Sequence, residues 1–199
     1  LEAPFVAALG AYRQGRDLAA RAALERSDAA GLALYPFQRV GVAWLAQRER
    51  ALLADSPGLG KTCMALAAVP PGPVLVICPA VAKGVWLRET ARWRPDLSAE
   101  ALHGRGSFHW PAPTMLTATN YDILPEEPPP CPPGVSIILD EIHAIKGKSL
   151  RTRRARLLIK AVRAAGGKVI GLSGTPLLNR QAELASLLEY AERKCVDLI

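Results

Sequence analysis

Ala51-Leu52-Leu53-Ala54-Asp55-Ser56-Pro57-Gly58-Leu59-Gly60-Lys61-Thr62 runs from an apolar stretch straight into a glycine-bearing turn, and a helix-forming segment, Cys63 to Val69, follows. Strand, tight loop and helix start in that order make a phosphate-binding loop. Glycines at 58 and 60 let the backbone bend close to a polyphosphate. Along the loop Pro57-Gly58-Leu59-Gly60, successive amide groups after the proline and the helix start then face the anion, and Lys61 brings a mobile cation. The Thr62 hydroxyl is placed to bind Mg2+. The loop departs from G-x-x-x-x-G-K-[ST], because Asp55 stands where the first glycine should be.

A second segment supplies what such a loop needs. Val135-Ser-Ile-Ile-Leu139 reads as a buried strand that delivers Asp140 and Glu141 to its carboxyl end, followed by Ile142 and His143. One carboxylate can hold the metal while the other orients water. Each motif alone has a plain alternative, a glycine-rich turn with a surface lysine or a solvated strand end. Their occurrence together, in the order loop then acids, favours one nucleotide site.

Composition bounds the rest. With 199 residues, half of them apolar, the chain can bury an ordinary core and is most simply one domain. No apolar run approaches the roughly 20 residues of a spanning helix, and the first residues lack a signal peptide's charged start and apolar core. A cytoplasmic protein, or a nuclear one if the source is eukaryotic, is expected, not a secreted or membrane one. Cysteines 63, 78, 131 and 195 show neither C-x-x-C spacing nor a nearby histidine pattern, so neither zinc nor a disulfide framework is expected. A formal charge of +7 points to a polyanionic partner.

That charge is concentrated. Between Lys146 and Arg163 lie eight Lys or Arg residues and no acid. On a helix, Arg153, Arg156, Lys160 and Arg163 share one side, with Leu150, Leu157, Leu158 and Ala161 on another. A solvated basic face and a phosphate-contacting one fit this pattern equally.

Strands and helices alternate, which predicts an α/β fold with a mostly parallel sheet covered on both faces. Five strands are expected, at 51–55, 74–78, 114–118, 136–140 and 168–172, with mostly helical stretches between. Pro125 to Gly134, with six prolines, reads as an extended surface connection. Residues 1–34 are Ala-rich, Arg-dotted and helical, with Phe5, Leu9 and Tyr12 on one side, and form a candidate extension packed on a main body of residues 35–199.

Other signals fall upstream of the phosphate loop or at strand ends. Tyr35-Pro-Phe-Gln38 opens a helix before the phosphate loop, and a Gln amide can both donate to and accept from an adenine edge, or simply be a polar helix residue. Cys78-Pro79 through Lys83 to Trp86 and Thr119-Asn120-Tyr121-Asp122 leave strand carboxyl ends, where ligands bind in open α/β sheets. Leu172-Ser173-Gly174-Thr175-Pro176 closes the fifth strand, as a plain turn also would.

Together these segments resemble the first motor lobe of superfamily-two helicase-like ATPases, and within it the Swi/Snf family of double-stranded-DNA translocases. The resemblance runs from about Leu34 to Glu189 and rests on YPFQRVGVAWL, LLADSPGLGKT, VLVICPAVAKGVWLRE, TATNYDIL, IILDEIHAIKG and GLSGTPLLNR. The annealing-helicase-like branch looks nearest, through Lys146-Gly-Lys-Ser, the Arg-rich stretch and Leu-Ser-Gly-Thr-Pro-Leu. Asp55 is usual in this family, whereas Ser56-Pro57 replaces a more common Glu-Met pair.

The resemblance implies a RecA-like lobe that uses ATP and Mg2+. It assigns Gly58, Gly60, Lys61 and Thr62 to the phosphate loop, Asp140 to the metal, Glu141 to activating water, and Gln38 to adenine. His143 would link the nucleotide to Ser173 and Thr175, the coupling residues. Lys83, Thr119 and Asn120 fall in motifs that contact the DNA backbone, and Lys146, Arg153 and Arg156 join them as candidate contacts. In this family a second RecA-like lobe supplies the arginines that stabilise the transferring phosphate, worth roughly 10³ to 10⁵ in rate. Residues 1–199 leave no room for that lobe, so slow hydrolysis is expected of them alone. The alternatives are another P-loop enzyme such as a kinase, or a module that binds ATP structurally.

Overall fold

Strand and helix alternate along the described residues, 3–31, 33–145 and 149–174 of this computed structural model. The order is α1 (Ala3–Ala29), α2 (Pro36–Ala46), β1 (Arg50–Leu53), α3 (Lys61–Ala68), β2 (Val74–Cys78), α4 (Lys83–Trp93), β3 (Ser98–Ala101), β4 (Met115–Asn120), β5 (Ser136–Leu139), α5 (Leu150–Ala164) and β6 (Val169–Leu172). The strands form one six-stranded sheet in the order β1-β6-β5-β2-β4-β3, with every pairing parallel. This is the α/β, RecA-like arrangement expected, with both faces covered.

Alternation along the strands divides the core in two. Val74, Val76 and Cys78 of β2 join Val42, Leu45, Met64, Leu66 and Trp86 on the face covered by α2, α3 and α4. Leu75 and Ile77 turn the other way, to Ile137, Leu139, Leu158, Ile159 and Val162 under α5. Because the strands are buried on both sides, they read in sequence as continuous apolar runs.

The sheet has one strand more than expected. Ser98-Ala-Glu-Ala has no β-branched or aromatic residue, so nothing local marks β3 as extended. Its place at the sheet edge comes from register with β4, Ser98 opposite Met115 and Ala101 opposite Ala118, and Glu100 accepts a hydrogen bond from Thr117 Oγ1 at 2.8 Å. The apolar side of α5 is also turned from the expected one. Thr152, Ala155, Leu158, Ile159 and Val162 face the core, while Leu150 is 66% exposed.

Helix α1 lies against α2 and α3. Ala20 and Ala23 are buried there, Arg26 Nη2 donates to Val69 O at 3.0 Å beyond the end of α3, and Asp28 pairs with Arg39 of α2. Side chains Phe5, Leu9 and Tyr12 lie outside the described residues, as do Lys146 and Thr175. No described helix is long and apolar enough to cross a membrane.

Candidate nucleotide site

Strands β1, β6 and β5 are neighbours, so the segments that leave their carboxyl ends meet at one edge of the sheet. Leu53 is level with Leu172, and Leu139 with Gly171. The phosphate loop, Ser173-Gly174 and Asp140-Glu141 therefore stand side by side. A methyl group at Gly174 would lie 3.2 Å from Pro57 Cγ and 3.8 Å from Lys61 Nζ.

The loop has the geometry its composition demands. Gly58 and Gly60 both take left-handed conformations, φ 85° and 81°, which cost other residues energy. Gly60 sits at the N-cap of α3, and no side chain caps the helix, so its first-turn amides are left for an outside acceptor. Lys61 Nζ donates to Asp55 O at 2.8 Å and Ser56 O at 3.0 Å, folding its ammonium over the loop. Thr62 follows, half-buried in the first turn. Leu59, at the tip of the loop, is 40% exposed.

Gln38 is built into this loop. Its Oε1 accepts from Tyr35 N at 3.0 Å, which ties the start of α2, and its Nε2 donates to Leu59 O at 3.2 Å. The side chain is 8% exposed and both ends of its amide are engaged. Its visible work is to fasten α2 to the phosphate loop.

Asp140 and Glu141 differ sharply in setting. The Asp140 carboxylate accepts the Trp86 indole N–H on Oδ2 at 2.9 Å, and its main-chain oxygen accepts the Tyr121 hydroxyl at 2.7 Å. Burial pushes its pKa up from the ordinary carboxylate value, the indole hydrogen bond opposes this, neighbouring Glu141 adds to the rise, and Lys61 draws it back. That Lys61 acts on Asp140 at all places loop and acids in one electrostatic site. Glu141 has φ 50°, a left-handed backbone unusual for a side chain of its size. Its Oε2 is buried without a hydrogen-bond partner. His143 Nδ1 lies 3.1 Å from that oxygen, close enough for an ion pair although off hydrogen-bond geometry, and 3.4 Å from Ser173 Oγ. His143 thus bridges the acids to the end of β6.

Uncapped amides, a reorientable lysine, a hydroxyl and two carboxylates, one holding a buried oxygen in reserve, fit a polyphosphate carrying a divalent cation.

Three candidate DNA contacts are placed elsewhere. Lys83 is 7% exposed, and its Nζ donates to Leu102 O at 2.6 Å and Asn120 Oδ1 at 3.0 Å. Thr119 is fully buried and Asn120 is 7% exposed. As placed, these side chains brace the ends of β3 and β4 from within and do not offer polar atoms to a phosphate. Sequence favoured them because their segments leave strand ends, but the chain turns them inward. Arg153 and Arg156 are exposed on α5, as expected of a basic face. Trp86 and Tyr121, both on Asp140, were not among the expected site residues. Only their position in the segments that follow strand ends, Trp86 on α4 and Tyr121 just after β4, marked them.

Residues 37–196 match the model of the SNF2-related domain family. The chain is 36% identical over 162 residues to the Bos taurus SWI/SNF-related matrix-associated actin-dependent regulator of chromatin subfamily A-like protein 1, covering 76% of this chain and 16% of that protein. It is 28% identical over 188 residues to the Bos taurus DNA annealing helicase and endonuclease ZRANB3, covering 81% of this chain and 17% of the relative. Among solved structures, the Sulfolobus solfataricus SWI2/SNF2 ATPase core in complex with dsDNA is similar at a TM-score of 0.59 and 26% identity, over 80% of this chain and 36% of that one. The chain therefore spans only a minor part of the length of each of these relatives.

Proposed function

Since the chain belongs to the SNF2-related family and carries its ATPase lobe, we propose that it is the ATP-binding first lobe of a translocase that moves on double-stranded DNA. The convergence of Lys61, Asp140, Glu141 and Ser173 at the ends of three adjacent parallel strands carries this reading. In it, the backbone amides of 58–60, with Pro57 shaping the turn, and Lys61 hold the phosphates of ATP, and Thr62 with Asp140 holds Mg2+. The metal supplies charge neutralisation on the phosphates. Glu141 orients water, and its Oε2, which makes no hydrogen bond although His143 Nδ1 approaches to 3.1 Å, is the oxygen assigned to that task. His143, Ser173 and Thr175 couple the nucleotide to the second lobe, and Gln38 positions the loop; to read adenine its amide would have to give up Tyr35 N or Leu59 O.

Residues 35–199 form the lobe in this reading and 1–34 an extension upon it. The charge-stabilising arginines belong to a second RecA-like lobe, so residues 1–199 assayed alone bind ATP-Mg2+ weakly and turn it over slowly. Duplex DNA as substrate places the protein where DNA is, in cytoplasm or nucleus.

Two variants test the assignment. Lys61→Ala should weaken nucleotide binding at least about 10-fold, whereas Glu141→Gln should bind within about twofold of the parent yet lose roughly 10² to 10⁴ in turnover. Calorimetric titration with an ATP analogue and single-turnover hydrolysis measure the two effects. Turnover surviving the Glu141 change would remove it from the chemistry.

A further inference from the structure

Lys83 and Trp86 are one turn apart on α4 and both are buried, so they leave the helix in nearly the same direction. Lys83 reaches Asn120 at the end of β4, and Trp86 reaches the Asp140 carboxylate. Asn120 and Tyr121 are consecutive, and Tyr121 returns to Asp140 through its main-chain oxygen. Lys83, Asn120, Tyr121, Asp140 and Trp86 thus close a ring of hydrogen bonds and covalent links across α4, β4 and β5. The Lys83 ammonium in this ring is met by neutral oxygens, of Leu102 and Asn120. A buried charge so compensated is costly to retain for stability alone.

The ring has two ends of different use. One is the acid that would hold Mg2+. The other is the base of the two segments, 79–86 and 119–122, that leave adjacent strands β2 and β4 at the same sheet edge. A ligand lying across that edge presses on α4 or on the β4 turn. Neither can shift against the other without breaking the Lys83 hydrogen bonds or dragging Asp140.

We infer that Trp86 and Tyr121 are positioning residues that tie the strand-end segments 79–86 and 119–122 to Asp140, so that duplex DNA pressing on this edge and nucleotide at the phosphate loop alter each other's affinity. This rests on the motor-lobe reading and adds to it the residues through which the two ligands communicate. The coupling is reciprocal by thermodynamic necessity. Trp86 contributes through the carboxylate and Tyr121 through the backbone, so each can be removed separately.

The measurement is the affinity of a fluorescent, non-hydrolysable ATP analogue with Mg2+ for the full chain, with and without saturating short duplex DNA. The unsubstituted protein should show a change of at least about 5-fold. Tyr121→Phe, which deletes one hydroxyl and leaves the carboxylate hydrogen bond intact, should bring the ratio within about twofold of unity, as should Trp86→Phe. Trp110→Phe deletes the same kind of indole donor, there bonded to Pro129 O, and should leave the ratio unchanged. Coupling that persists at the parental value in both Tyr121→Phe and Trp86→Phe overturns the inference, as does independent binding of the two ligands by the unsubstituted chain. Failure to bind nucleotide at all overturns the motor-lobe reading itself. If only Trp86→Phe proves unstable, Tyr121→Phe still decides the matter.

Discussion

Two glycines of the phosphate loop share a backbone conformation but not a neighbourhood. A methyl at Gly58 meets nothing within 4 Å, whereas one at Gly60 would sit 2.5 Å from Gln38 Nε2. Gly58→Ala should therefore cost only the conformational penalty of about 1–2 kcal/mol. Gly60→Ala adds the displacement of Gln38, and with it the α2 tether, so urea denaturation should rank it clearly lower and nucleotide titration should find it impaired. Away from the site, Arg94 is 2% exposed and forks onto Asp96 Oδ1 and Oδ2 at 2.9 Å each. The guanidinium hydrogen bond holds the Asp96 carboxyl below the ordinary value. Its stabilisation is complete above the ordinary carboxylate range and is lost as pH falls through the lowered value. Asp96→Asn should flatten the acid limb of a stability profile, and Asp96→Ala should cost about 1–3 kcal/mol at neutral pH by leaving a buried cation short of its partner.

At the scale of elements, α5 carries Arg153, Arg156, Lys160 and Arg163 on its exposed side, with no acid in its first turn. Cations near a helix start oppose its dipole. Two of the arginines there are balanced, Arg151 by Asp122 and Arg154 by Glu126. If the exposed side meets phosphates, changing Arg153 and Arg156 to Ala should reduce the slope of log affinity against log salt by about 1 for each phosphate left unneutralised. An unchanged slope removes this helix from the interface. Sequence located α5 because its charges repeat at helical spacing, but misjudged its core side because Leu150 is apolar and sits beyond the point where the sheet can cover it. It found β2 and β5 because they are unbroken apolar runs. It missed β3 because Ser, Ala and Glu carry no extended preference, and only the neighbouring strand supplies one.

Across the whole molecule, strand order is the feature least available to local reading. Nothing in 169–172 says that β6 lies between β1 and β5, yet that insertion brings Ser173 and Gly174 between the loop and the acids. The motifs of the candidate nucleotide site are legible because phosphate and metal demand fixed residue types at fixed spacing. The inward turn of Lys83 was not, since a lysine in a strand-end loop looks the same whether it faces solvent or carbonyls. Both apolar clusters draw on β2, β5 and β6, so neither face can lose its helices without exposing strands the other needs. Thermal unfolding should consequently be one transition. Tryptophan fluorescence, reporting Trp86 and Trp93 on one face and Trp110 on the other, should coincide with far-ultraviolet circular dichroism.

Glu141 keeps its left-handed backbone at an energetic disadvantage that glycine would not feel. A laboratory selection for heat resistance, blind to turnover, would therefore drift toward glycine at 141 and, with Glu141 in its proposed role, enrich hardy but idle proteins. Durability and work pull this one peptide unit in opposite directions.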